Sequence, residues 1–309
     1  STCLLGESVR YNGGHLKDAF LTNTVSKYVD WVPVCPEAES GMGIPREAVR
    51  LVDEEGKLKM RGIKSKYDHS LSMNKWIESR TSELTRSNLH GYVFTKDSPS
   101  CGLFRVKIYG DNEQVISRNG RGLFAGSLSS KLPHLPIEEN GRLNDPRLRE
   151  NFIERVFVYK RWSQLIADGR SPKNLVKFHS QLKLTLMAHS VVHYREAGRI
   201  VARAGAEDWA LVTQEYERVL MSAMQRLATT KKHANALQHA MGLLKRDLSS
   251  GDKTELLGMI DQYRVGLLPI IVPITLLRHH INKIGGPKWL VDQTYLDPYP
   301  SEMMLRNHV

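Results

Sequence analysis

Between residues 132 and 147 the chain carries Pro133, Pro136, Gly141 and Pro146 without a sustained hydrophobic period, and its character differs on the two sides. Proline fixes φ and removes a backbone donor, so neither a long helix nor a central strand is expected to cross this stretch. It reads as a linker, with one domain over 1–140 and a second over 145–309. A chain of 309 residues has room for two apolar cores.

Before the linker, strand and helix signals alternate. Tyr28 to Val34 is rich in strand formers and runs into Cys35. Residues 64–90 read as a helix with Tyr67, Leu71, Trp76 and Leu84 on its apolar face, ended by Gly91. Tyr92 to Thr95 reads as a short strand, and Arg118 to Lys131 as a further helix. After the linker the helical candidates are 151–168, 173–204, 208–228, 231–248, 253–265 and 267–284, followed by an aromatic, proline-rich tail that is expected to pack across the bundle. Asp145-Pro146 and Ser171-Pro172 place a capping residue before a helix-starting proline. The expected architecture is an α/β N-terminal domain, a sheet with flanking helices, followed by an all-α helical C-terminal domain.

No uninterrupted apolar run reaches the roughly 18 residues of a membrane span. The nearest, Val265 to Leu277, contains Pro269 and Pro273. No secretory signal is visible, and three cysteines are too few for a disulfide scaffold, so a reducing, cytoplasmic setting is expected. The net charge of +11 is unevenly placed. Residues 1–150 carry 22 basic against 19 acidic side chains, residues 151–309 carry 22 against 14, and 151–200 alone carries nine against three. Such a bias suits a polyanion partner for the second half, although a solvated basic surface has the same composition.

The three cysteines stand in loop-like contexts: Ser1-Thr2-Cys3-Leu4-Leu5-Gly6, Pro33-Val34-Cys35-Pro36-Glu37 and Ser98-Pro99-Ser100-Cys101-Gly102. Buried free cysteine often serves only as a small apolar residue. Proline and glycine neighbours argue against that role, and sites in parallel α/β sheets gather at the carboxyl ends of strands. Cysteines 32 and 66 positions apart could therefore converge. Converged thiolates suit zinc or an iron–sulfur cluster. Structural zinc takes four ligands, often in Cys-x-x-Cys pairs, and no such pair exists here. A cubane held by three cysteines keeps one iron open.

Cys3-Leu-Leu-Gly6, Val9-Arg-Tyr-Asn-Gly-Gly14, Pro33-Val-Cys-Pro-Glu37, Gly43-Ile-Pro-Arg46 and Ser98-Pro-Ser-Cys101 closely resemble the thiouracil desulfidase family, in the expected order over residues 1 to about 135. That family has a strand before the first cysteine, so a short segment is expected to precede Ser1. The second half resembles the YbgA-like helical domain through Lys177-Phe-His179, Leu186-Met-Ala-His189, Tyr194, Tyr263-Arg264 and Tyr295-Leu-Asp-Pro-Tyr299. The fused arrangement is similar to the RudS-type desulfidases, which act on 4-thiouridine in tRNA.

The resemblance implies a [4Fe-4S] cluster on Cys3, Cys35 and Cys101, whose fourth iron binds the thiocarbonyl sulfur while water replaces it at the ring carbon. It also implies a catalytic Glu37, for which the alternative is a cap on the next helix. A serine of the Ser98–Ser100 loop is implicated as a donor to the substrate, Ser98 before Ser100, with ordinary turn chemistry as the alternative. Tyr11 and Asn12 are expected either to shape the base pocket or to form the turn at Gly13-Gly14. A base within RNA must be unstacked to reach such a pocket, and phosphate contacts offset that cost. Lys160, Arg161, Arg170, Lys173 and Lys177 are the candidates for contact with tRNA. The rival readings are a desulfidase of free thiouracil or thiouridine and a non-enzymatic iron–sulfur RNA-binding protein. His189 and His193 stand four apart without an accompanying glutamate, and His279-His280 and His233/His239 carry still weaker metal-binding signals.

Overall fold

The computed structural model describes residues 1–309 and divides into two compact units, Ser1–Asn144 and Asp145–Val309. In the first unit, β1 (Val49–Glu54) and β2 (Lys57–Gly62) form a hairpin with Glu54 opposite Lys57. Its two-residue turn places Glu55 at φ 52° and Gly56 at φ 78°, the left-handed pair that matches strand twist. β4 (Val106–Tyr109) lies parallel to β1, and β5 (Val115–Gly120) returns antiparallel to β4. The sheet order is β2-β1-β4-β5. A separate parallel pair joins β3 (Tyr92–Phe94) to β6 (Ile137–Glu139).

Helix α1 (Ser70–Arg86) buries Ser70, Met73, Ile77, Thr81 and Leu84, a stripe at helical spacing. The observed helix differs from the expected one in both its start and its buried face. Residues 64–69 are turn and bridge, and Tyr67 and Leu71 are exposed at 65% and 84%. The largest apolar side chains suggested a face that the finer 3-4-4-3 spacing contradicts. The expected helix from Arg118 begins only at α2 (Leu123–Lys131), because 118–120 finish β5. Trp76 of α1 and Phe124 of α2 approach to 5.4 Å between ring centroids, and Phe124 meets Tyr92 of β3 at 5.7 Å. These rings make the core between helices and β3.

Two further expectations fail. Tyr28–Val34 is not a strand, although Val34 O accepts from Thr2 N at 3.0 Å. The linker contains β6, because Tyr92 N and the parallel register of β3 recruit 136–139 from across the sequence.

The second unit is helical throughout: α3 (Pro146–Ala167), α4 (Pro172–Gln181), α5 (Lys183–His189), α6 (Val191–Arg203), α7 (Trp209–Met224), α8 (Thr230–Leu243), α9 (Ser250–Arg264), α10 (Ile271–Ile284) and α11 (Lys288–Val291). Side-chain caps from Asp145, Ser171, Ser190, Asp208, Thr229 and Ser249 start six of them. The single helix expected over 173–204 is three. Its first break is filled from the tail: Thr294 N donates to Gln181 O, while Gln293 accepts from Leu184 N and donates to Ser180 O. Backbone groups freed by the break thus find partners 109 to 113 positions away, which no local pattern reveals. No helix is long and apolar enough to cross a membrane.

The tail also brings a cation inward. Arg306 is 5% exposed and donates from Nε to Glu150 Oε1 at 3.1 Å, where Tyr299 also donates at 2.9 Å. Glu154 sits beside it and pairs with His189 Nε2 at 2.9 Å. Burial disfavours the Glu154 charge, but the His189 hydrogen bond and the cations around it hold its pKa at about 2. Burial likewise opposes a charged His189, yet Glu154 and the Arg226 carbonyl outweigh it and raise its pKa. The stability this gives is fully present below the unfolded histidine value of about 6.5 and is lost as pH rises through the higher folded value. The unfolding temperature of the wild type is therefore expected to fall more steeply than that of His189→Gln as pH rises above about 6.5, and parallel curves would refute the ion pair. Arg306→Ala is expected to cost about 3–5 kcal/mol in urea unfolding, because Glu150 and Glu154 lose their shared cation.

Candidate active site

Ser1 N donates to Val93 O at 2.9 Å and Thr2 N donates to Val34 O at 3.0 Å. The first two residues therefore run between the segment leading to Cys35 and strand β3. Each of the three segments then leaves on the same side carrying chemistry: Cys3 after Thr2, Cys35 after Val34, and Thr95 with the Ser98–Cys101 loop after β3. Cys3, Cys35 and Cys101 line one cavity of about 270 Å³ together with Tyr11, Glu37, Arg46, Thr95 and Ser98. All three are free thiols. Cys3 Sγ lies 3.2 Å from Thr95 Oγ1, and Cys35 Sγ lies 3.8 Å from Val9 O.

The Cys101 loop is clamped to the start of α2. Gly122 N donates to Gly102 O at 2.7 Å, Leu123 N to Pro99 O, and Phe124 N and Ala125 N both to Ser100 O. Unpaired N–H groups at a helix start need such partners, and here the loop carbonyls supply them. The fit requires glycine: a Cβ on Gly122 would lie 2.5 Å from the Ser100 carbonyl carbon and oxygen.

Glu37 is held from both sides. Arg46 donates to Oε2 from Nε at 3.0 Å and from Nη2 at 2.6 Å. Ser100 Oγ donates to Oε1 at 2.7 Å, and Ser98 Oγ lies 3.5 Å from the same atom. The side chain makes no cap bond to the turn that follows it, so the capping alternative fails; Glu39 instead accepts from Cys35 N at 2.7 Å. The serines divide their work differently from expectation. Ser98 lines the cavity while its hydroxyl accepts from Ser100 N and Cys101 N. Ser100 is fully buried behind the wall and orients Glu37.

Arg46, unassigned from the sequence, ties the wall together. Its Nη1 donates to Val9 O and Gly43 O, both at 3.0 Å, and its backbone N donates to Tyr11 O. The conspicuous Gly43-Ile-Pro-Arg46 segment was the available signal. Tyr11 lines the cavity and stays 43% exposed. Asn12 does not line it; its Oδ1 accepts from Gly14 N and closes the turn, because two glycines follow.

Electrostatically the cavity disfavours bare thiolates. Burial pushes the Cys101 thiol well above its ordinary value, with Glu37 and the other thiols adding to the rise, and burial raises Cys35 also. Three soft donors around one cavity, two of them reluctant to ionise without a nearby positive centre, fit a thiolate-bound metal or iron–sulfur group.

In the helical unit, Lys160, Arg170, Lys173 and Lys177 are exposed, with Lys173 and Lys177 one turn apart on α4. Arg161 is not a free surface cation. It is half-buried, burial lowers its pKa, and its Nη1 has no hydrogen-bond partner. His189 is engaged by Glu154, and His193 Nδ1 lies 2.7 Å from the Ser190 hydroxyl, so the pair is not directed at a shared ligand.

The first unit is thus a small α/β domain with three thiols and a carboxylate–arginine pair about one cavity. The 2-thiouracil desulfurase family model matches residues 1–140, and that of a protein family of unknown function, DUF1722, matches residues 183–300. The chain is 26% identical over 168 residues to uncharacterized protein YbgA of Escherichia coli strain K12, a match covering 53% of this chain and 98% of that one. A solved structure of a [4Fe-4S]-dependent thiouracil desulfidase, TudS, aligns at 21% identity and a TM-score of 0.37, covering 47% of this chain and 91% of that chain. The chain is thus similar to the 2-thiouracil desulfurase family over its first unit and to the DUF1722 family over part of its helical unit.

Gly122→Ala is expected to displace the Ser100–Cys101 backbone. Urea unfolding should show a loss of about 1–3 kcal/mol, and Cys101 should react faster with a thiol reagent. Unchanged reactivity and stability would contradict the clamp.

Proposed function

We propose that this chain is an iron–sulfur-dependent desulfidase that hydrolyses the C–S bond of a thiolated pyrimidine, with 4-thiouridine in tRNA as substrate. The observation that carries the reading is the placement of Cys3, Cys35 and Cys101 on one cavity with Glu37 at its wall. The family match over residues 1–140 supports the same chemistry. With no fourth cysteine in the chain, a [4Fe-4S] cluster bound there would supply a soft Lewis-acid position for the thiocarbonyl sulfur.

The chain's own residues have separate tasks. Cys3, Cys35 and Cys101 hold the cluster. Arg46 and Ser100 fix the Glu37 carboxylate, so its rotamer is set before substrate arrives. Glu37 takes a proton from the attacking water and returns one to the departing sulfide. Thiocarbonyl plus water gives carbonyl plus hydrogen sulfide, without net oxidation or reduction. Tyr11, exposed at the cavity, offers a face on which an unstacked base can rest.

The exposed cations Lys160, Arg170, Lys173 and Lys177 make the helical unit the part suited to phosphate contact. The family description favours free 2-thiouracil as the second reading. Both are separated by sulfide release after anaerobic reconstitution, with iron and sulfide analysis alongside. Glu37→Gln is expected to retain iron and lose about 10²–10⁴-fold in turnover. A Lys160→Glu/Lys173→Glu/Lys177→Glu variant should lose turnover on thiolated tRNA and keep it on free 4-thiouridine. Equal losses on both substrates would sink the tRNA assignment, and an iron-free protein after reconstitution would sink the whole reading.

A further inference from the structure

Far along the sequence from the cysteines, the helical unit holds a second set of donors that the desulfidase reading leaves unused. Asp252, in the first turn of α9, and Glu255, in the second, are three residues apart, so they share a face. His280 lies on α10, which packs against α9. One ligand atom from each of the three lies within 4.8 Å of the others. His280 is 2% exposed, and neither of its ring nitrogens has a hydrogen-bond partner. Buried polar side chains are nearly always satisfied, so a dry imidazole turned toward two carboxylates calls for a partner that neither carboxylate supplies.

We propose that Asp252, Glu255 and His280 bind a divalent transition metal, with zinc the best match. An imidazole nitrogen suits zinc, cobalt or iron better than calcium or magnesium, and two carboxylates balance the ion's charge. Three protein ligands leave room for water in a four-coordinate shell. Asp252 is already oriented: its Oδ2 accepts from the Ser249 hydroxyl at 2.8 Å and from Ser249 N at 3.3 Å in the capping box of α9. Its Oδ1 faces Lys283 Nζ at 3.9 Å. Lys283 is 58% exposed and its long side chain can turn to solvent, so the metal takes the place of this ammonium. The ion would tie α9 to α10 and satisfy one nitrogen of His280. No short motif announces the site, because the histidine comes 25 residues after the nearer carboxylate, on another helix.

Cobalt(II) titration of the full chain tests the site and keeps it apart from the cysteine cavity. Cobalt on thiolates gives intense ligand-to-metal charge-transfer bands, whereas a nitrogen–oxygen site gives only weak d–d bands. The expected result is one equivalent that adds d–d bands without charge-transfer bands, weakened by more than about 10-fold in Glu255→Gln and in His280→Gln while any thiolate bands from the cysteine cavity stay unchanged. Glu255 is exposed, so its variant leaves the core packing intact even if His280→Gln disturbs it. Zinc should raise the unfolding temperature of the wild type more than that of Glu255→Gln, the cysteine cavity being the same in both. Cobalt spectra with thiolate bands alone, or d–d bands and a zinc stabilisation undiminished in Glu255→Gln, overturn the proposal.

Discussion

Two backbone hydrogen bonds, Ser1 N to Val93 O and Thr2 N to Val34 O, lay three distant segments side by side. Everything at the cavity depends on this alignment. A cysteine follows directly on two of the segments and, after a six-residue loop, on the third, so their common direction becomes a common site. The loop after β3 is the least regular of the three and receives the strongest restraint. Its carbonyls accept the free N–H groups at the start of α2, and Gly122 permits an approach that any side chain would obstruct. The helix start and the cysteine loop satisfy each other.

The wall facing the thiols is organised by charge. Glu37 would be costly to bury alone, and Arg46 makes it affordable while also binding the carbonyls of Val9 and Gly43. One guanidinium thus closes two loops and orients one carboxylate. Ser100 completes the arrangement from within the protein, leaving Ser98 at the cavity surface. A carboxylate held this firmly suits a positioned proton carrier better than a mobile ligand.

The helical unit repeats the theme with different groups. Its tail supplies Gln293 and Thr294 to a helix break and Arg306 to two buried glutamates. The last residues therefore act as part of the core, although their sequence has no regular period. His189, which helical spacing alone would pair with His193, is instead committed to Glu154 and the Arg226 carbonyl.

Local chemistry in the sequence determined the division near residue 144, the helical nature of the second half and the caps that begin most of its helices. These rest on proline, glycine and short-range hydrogen bonding, which act within a few residues. The motifs also marked Cys3, Cys35, Cys101 and Glu37 as chemically loaded. Tertiary structure decided the rest. The hairpin at 49–62 and strand β6 exist because of partners elsewhere in the chain, while Tyr28–Val34 lacks the ladder that would make it a strand. The inward position of Arg161 and the meeting of Asp252, Glu255 and His280 lay beyond any local pattern, because burial and the approach of side chains on different helices depend on packing rather than on spacing.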